Sequence, residues 1–185
     1  MYKATEEFLE ALGINWKKDF NTKDTPRRVS EMYEILLGGY DKNPEEYLVT
    51  FPAKSDDMVV LTNVPLYTFC SHHLVPAVGK IHIAYVPNKK VVGISKLVRF
   101  ARVFAKRLNL QEDMTQDIAD CLMKYVKPKG VMVKVEMQHL CMIIRGVRSQ
   151  GSVMATTAKR GIFNKKPGLV QEFQSSIKEE GVFSY

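Results

Sequence analysis

Three of the chain's four histidines and two of its three cysteines fall in two short segments, Cys70-Ser71-His72-His73 and His139-Leu140-Cys141. For these groups to act together, two distant stretches of chain must converge. Cys70 and His73 stand three positions apart, a spacing that reaches one metal from a turn. His139 and Cys141, two positions apart, would emerge side by side from one face of a strand. A strand is expected from Val131 to about Val147. Its odd positions run Val131, Val133, Val135, Met137, His139, Cys141, Ile143 and Arg145, from aliphatic core into a polar cluster. Taken singly, each thiol or imidazole reads as ordinary buried packing; their clustering favours a metal. Thiolate and imidazole donors select zinc. Three protein ligands with a water make an open catalytic site and four make a closed structural one, and the donor set allows both counts. Cys121 shares a helical stripe with Met114, Ile118, Leu122 and Tyr125 and reads as core. His82, on a strand face with Lys80 and Ala84, also reads as structural.

A chain of 185 residues accommodates one domain with a real core. With 45% apolar and 25% charged residues and no apolar run of roughly 18–20 residues, disorder and a membrane-spanning helix are not expected. The first residues carry acids and no signal-peptide pattern, and three cysteines make a poor disulfide framework. A cytoplasmic location is the expectation. The net charge of +7 predicts attraction to polyanions, which fits a nucleoside triphosphate as well as nucleic acid.

Phe8, Leu9 and Leu12 suit a short helix ended by Gly13, and Thr25-Pro26 suits an N-cap with proline at the first helical position. Val29, Met32, Tyr33, Leu36 and Leu37 then form an apolar stripe. A polar stretch from Asp41 to Glu46 separates this helical region, residues 1–49, from a second region, residues 50–185. There the pattern becomes strand-like from about Met58 to Pro87, with two antiparallel strands meeting near Cys70. Helices follow from Ser95 as cap to about Leu108 and from Met114 to Val126, then a break at Pro128-Lys129-Gly130, the long strand, and a closing helix carrying Leu169, Val170, Phe173 and Ile177. The fold class is α+β, with a sheet whose exposed face needs cover, for which oligomerisation is one source.

A triphosphate calls for fixed cations and helix N-terminal amides, and Ser95, Lys96 and Arg99 offer both. Taken alone they read as a solvated basic face continued by Arg102 and Lys106. Arg145, assigned to the same strand face as His139 and Cys141, is harder to read that way. Glu112 heads the next helix, either as a favourable first-turn acid or as a carboxylate able to accept paired N–H donors from guanine.

Read in order, Cys70-Ser71-His72-His73-Leu74-Val75-Pro76, Gly79-Lys80, Ala84-Tyr85-Val86-Pro87, Val92-Gly93-Ile94-Ser95-Lys96-Leu97, Arg99, Gln111-Glu112, His139-Leu140-Cys141, Arg145-Gly146-Val147-Arg148 and Thr156-Thr157 resemble the GTP cyclohydrolase I family over roughly residues 25–173. The resemblance implies a tunnel fold, an antiparallel sheet with helices packed on one side behind an N-terminal helical region. It implies zinc on Cys70, His73 and Cys141, proton transfer by His72, His139 and Ser95, and substrate contacts from Arg28, Ser95, Lys96, Arg99, Gln111, Glu112 and Arg145. The implied reaction is attack of a zinc-bound water on purine C8 of GTP, loss of formate, and rearrangement to 7,8-dihydroneopterin triphosphate. The implied assembly is a homodecamer of two pentameric rings with active sites between subunits, and neither nucleic acid nor membrane as partner. Ser71 and Glu31 depart from the family, which often has an acidic and a basic residue there. Two rival readings are an NADPH-dependent nitrile reductase of 7-deazaguanine synthesis on the same fold, disfavoured by the paired cysteines, and a basic nucleic-acid-binding protein with a structural zinc, disfavoured by the missing second Cys/His pair.

Overall fold

The structure, a computed structural model, describes residues 1–18 and 20–177. The chain divides into two compact units, residues 1–38 and residues 39–185.

The first unit is a pair of packed helices, α1 (Tyr2–Ala11) and α2 (Thr25–Leu36). Leu9, Trp16 and Pro26 are buried within it. Helix α2 starts one residue earlier than expected, with Asp24 at the N-cap and Pro26 in the first turn, where its missing N–H costs nothing. The stripe is also narrower than the periodicity suggests, because Met32 is exposed while Pro26 and Ser30 face inward. Glu31, one of the two family departures, accepts a hydrogen bond from Arg27 Nη1 at 2.9 Å, one helical turn away.

The second unit is built on a five-stranded sheet. Its strands are β2 (Val59–Cys70), β3 (Pro76–Val86), β5 (Leu108–Asn109), β6 (Gly130–His139) and β7 (Met154–Gly161), in the order β5-β2-β3-β6-β7. A separate two-stranded ribbon pairs β1 (Thr50–Pro52) with β4 (Lys90–Val92). Pairing is antiparallel throughout except for β5, which lies parallel to the end of β2. Between the strands come α3 (Ile94–Ala105), α4 (Gln111–Val126) and the single helical turn α5 (Leu140–Ile143), and α6 (Pro167–Ser175) follows β7.

Alternation decides the faces. Ile81, Ile83 and Tyr85 of β3 and Val131, Val133, Val135 and Met137 of β6 are fully or almost fully buried, packed with Leu97, Phe100, Ile118 and Leu122 of α3 and α4. Each such side chain contributes about 1.5–3 kcal/mol on burial. The opposite face is not bare along its whole length: Ala84, Val86 and Met132 pack against Phe163 and Phe173, so α6 covers one end of it. Helices therefore lie on both faces, a refinement of the one-sided packing expected. Beyond α6 that face carries His82, Lys134 and Glu136. A bulge between Leu61 and Val64 puts Asn63 in the left-handed region and lets its amide donate to His82 Nδ1 at 3.2 Å.

One strand expectation fails, and one strand was not expected. The strand beginning near Val131 ends at His139 rather than continuing to about Val147, and Cys141 sits on the helical turn α5. Strand β7, which pairs with β6 over its whole length, had no clear apolar alternation to reveal it. Helix α3 is capped by Gly93, not Ser95, which is its second residue.

Candidate metal centre and its surroundings

Strand order explains how the two donor segments meet. Phe69 pairs with Pro76 across the β2–β3 hairpin, and Ala77 pairs with His139. The hairpin turn and the end of β6 therefore share one border of the sheet. The turn is tight: Leu74 N–H donates to Cys70 O at 3.0 Å and Cys70 N–H to Val75 O at 3.0 Å, with Leu74 in the left-handed region. It brings His73 Nδ1 to 3.6 Å from Cys70 Sγ. The helical turn after His139 swings Cys141 toward the same point. One ligand atom from each of Cys70, His73 and Cys141 then lies within 4.8 Å of the others.

The chemistry of this donor set fits a divalent cation. Burial, and then the neighbouring Cys70 sulfur, push the Cys141 thiol above its usual range, while Arg145 pulls the other way. Two adjacent sulfurs resist becoming thiolates together unless a cation sits between them, and metal binding supplies that charge. His72 does not join the group: its ring stacks edge-on with His73 at 6.1 Å between centroids and is exposed.

His139 ends β6 half-buried, and its Nε2 lies 2.8 Å from Gln111 Oε1. Burial pushes its pKa down, with the Glu112 carboxylate opposing the shift, so the imidazole is held toward its neutral form. Gln111 opens α4 and is buried, whereas Glu112 beside it is exposed. Arg145 is exposed and near enough to Cys141 to influence its thiol, although it sits on the loop after α5 and not on a strand. Ser95 and Arg99 are exposed on the first two turns of α3, and Lys96 is half-buried. Arg28 belongs to the helical unit, exposed on α2 with Nη2 3.8 Å from Asp24 Oδ2. Cys121 and His82 keep the structural roles expected of them: burial pushes the Cys121 thiol up to about 11, and His82 is enclosed in the sheet.

The GTP cyclohydrolase I family model matches residues 1–178. The chain belongs to that family. GTP cyclohydrolase 1 of Clostridium kluyveri is 45% identical over 177 residues, covering 95% of this chain and 93% of that protein. GTP cyclohydrolase 1 of Wolinella succinogenes is 48% identical over 157 residues, 84% of each. Among solved structures, the archaeosine synthase QueF-Like in the apo form is a loose likeness, with a TM-score of 0.48 and 19% identity over 58% of this chain and 97% of that one. The GTP cyclohydrolase I match and the curated relatives favour neither rival reading. No helix among the described residues is long and apolar enough to cross a membrane.

Proposed function

We propose that this chain is a zinc-dependent GTP cyclohydrolase I, converting GTP to 7,8-dihydroneopterin triphosphate with release of C8 as formate. The observation that carries the reading is the convergence of Cys70, His73 and Cys141 within 4.8 Å, in a chain of this family. When bound there, zinc supplies Lewis acidity that lowers the pKa of a coordinated water toward about 7.

The chain's own residues do the rest. Glu112, exposed at the head of α4, accepts the paired N–H donors of guanine with its two oxygens. Arg145, Lys96 and Arg99 meet the triphosphate, with the N-terminal amides of α3 adding their partial positive charge. His139, held neutral by burial, takes and returns protons at the purine ring, and exposed His72 exchanges them with solvent. Ser95 assists the later ribose rearrangement.

Exposed apolar side chains flank this region: Leu74 on the hairpin turn, Ile94 at the head of α3, and Ile144 and Val147 after α5. Their exposure supports assembly into the decamer of two pentameric rings, with each site completed by a neighbouring subunit. The test is to incubate the zinc-loaded protein with GTP and measure formate together with a fluorescent oxidised pterin. Both products are expected in equal amounts; GTP left intact would overturn the reading.

A further inference from the structure

Gln111 makes four side-chain hydrogen-bond contacts beside the donor cluster, and all of them are internal. Its Nε2 lies 3.1 Å from Val135 O, 3.0 Å from Met154 O and 3.1 Å from Thr156 Oγ1. Two of these are backbone carbonyls, which only accept. An amide turned the other way would set its oxygen against both, so the orientation is fixed by its partners. A hydroxyl relay adds direction. Thr115 Oγ1 donates to Gln111 O at 2.7 Å, which leaves Thr156 as donor in the 2.7 Å contact between the two hydroxyls and frees the Thr156 oxygen to accept from Gln111.

With the amide nitrogen committed, Oε1 is the atom that faces His139 Nε2 at 2.8 Å. An amide oxygen accepts only, so the hydrogen in that contact belongs to the histidine. We propose that Gln111 is a positioning residue that holds His139 in the Nε2–H tautomer, leaving Nδ1 as the nitrogen with a free lone pair. This assigns Gln111 to the ring's orientation in place of direct contact with guanine, and it accounts for a glutamine only 2% exposed at the first residue of a helix beside the site. It rests on the reading of His139 as the proton carrier. A histidine in the wrong tautomer presents an N–H where a base is needed, so the consequence falls on turnover more than on binding.

The decisive measurement is solid-state 15N NMR of the full-length, zinc-loaded protein labelled at histidine, with His139 assigned by its absence in His139→Ala, and repeated without metal. The proposal expects one protonated nitrogen, Nε2, in both forms. A protonated Nδ1 with bare Nε2 in the wild type overturns it, whether or not any variant folds. In Gln111→Leu the expected signature is a mixture of tautomers, with kcat lower by about 10–100-fold and KM for GTP within about twofold. A single Nε2–H tautomer and unchanged kcat in that variant also overturn it. Thr156→Val removes one of three acceptors and leaves both carbonyls, so the Nε2–H tautomer is expected to persist; a mixture there would contradict the account of what fixes the amide. Wild-type Nε2–H without formate release would sink the proposed reaction alone, and formate release from an Nδ1–H enzyme would sink the tautomer alone.

Discussion

His82 provides a stability test that needs no substrate. Its side chain is 1% exposed, at the middle of β3. Nδ1 accepts the amide of Asn63 at the β2 bulge, and Nε2 lies 3.2 Å from Glu136 Oε2, poorly aligned for a hydrogen bond. Lys80 on the same strand and Lys134 on β6 add like charge. Burial dominates, opposed by Glu136, and pushes the pKa from 6.5 down to about 4. The folded state therefore favours the neutral ring, and the unfolded chain takes up the proton first as pH falls below about 6.5. Stability is lost on acidification, by about 1.4 kcal/mol per pH unit and about 3 kcal/mol in all by pH 4. The assay is urea unfolding of the wild type and His82→Gln between pH 7 and pH 4 at fixed zinc and protein concentration. The difference between the two proteins removes titrating groups remote from this site and reports His82 together with its neighbour Glu136. The wild-type advantage should shrink by about 3 kcal/mol across the range. A difference that stays flat, or that grows as the solution is acidified, would mean that the fold does not hold His82 neutral.

Cys141→Ser should abolish both zinc content and formate release, whereas His139→Ala should keep its zinc and lose turnover; metal analysis alongside the formate assay separates the two. Arg145→Ala should raise KM for GTP strongly, since a phosphate loses a charge-assisted partner, and steady-state kinetics with unchanged KM would remove Arg145 from the substrate site. Gly79→Ala should destabilise the fold by about 1–3 kcal/mol or more, because an added Cβ would lie 1.9 Å from Glu136 O on the neighbouring strand; thermal unfolding reads the loss.

Much of the site could be read from residue spacing, and the parts that could not share a cause. Cys70 and His73 were legible because a three-residue separation on a turn has few geometries. The burial of Val131, Val133, Val135 and Met137 was legible because alternation is a strand's own signal. Past His139 the same alternation misleads: His139-Leu140-Cys141 fits a strand equally well, and the helical turn there is set by contacts that local pattern does not carry. Strand β7 was hidden for a related reason. Its sequence, Met154–Gly161, mixes threonine, alanine, lysine and arginine with only Ala158 buried, so pairing with β6 and not side-chain burial makes it a strand. Gln111 shows the limit most clearly. Its neighbour Glu112 advertises a role by charge, but an uncharged amide gives no sign of whether it faces solvent or three internal acceptors, and only the approach of β6 and β7 to the start of α4 reveals it.

The proposed reaction needs one ion held by Cys70, His73 and Cys141 with a position left open, and X-ray absorption at the zinc edge of the holoprotein measures that coordination. The spectrum should show two sulfurs at about 2.3 Å, one imidazole nitrogen at about 2.0–2.1 Å and one further light donor that changes when GTP is added. A shell filled by four protein donors and insensitive to GTP would contradict it.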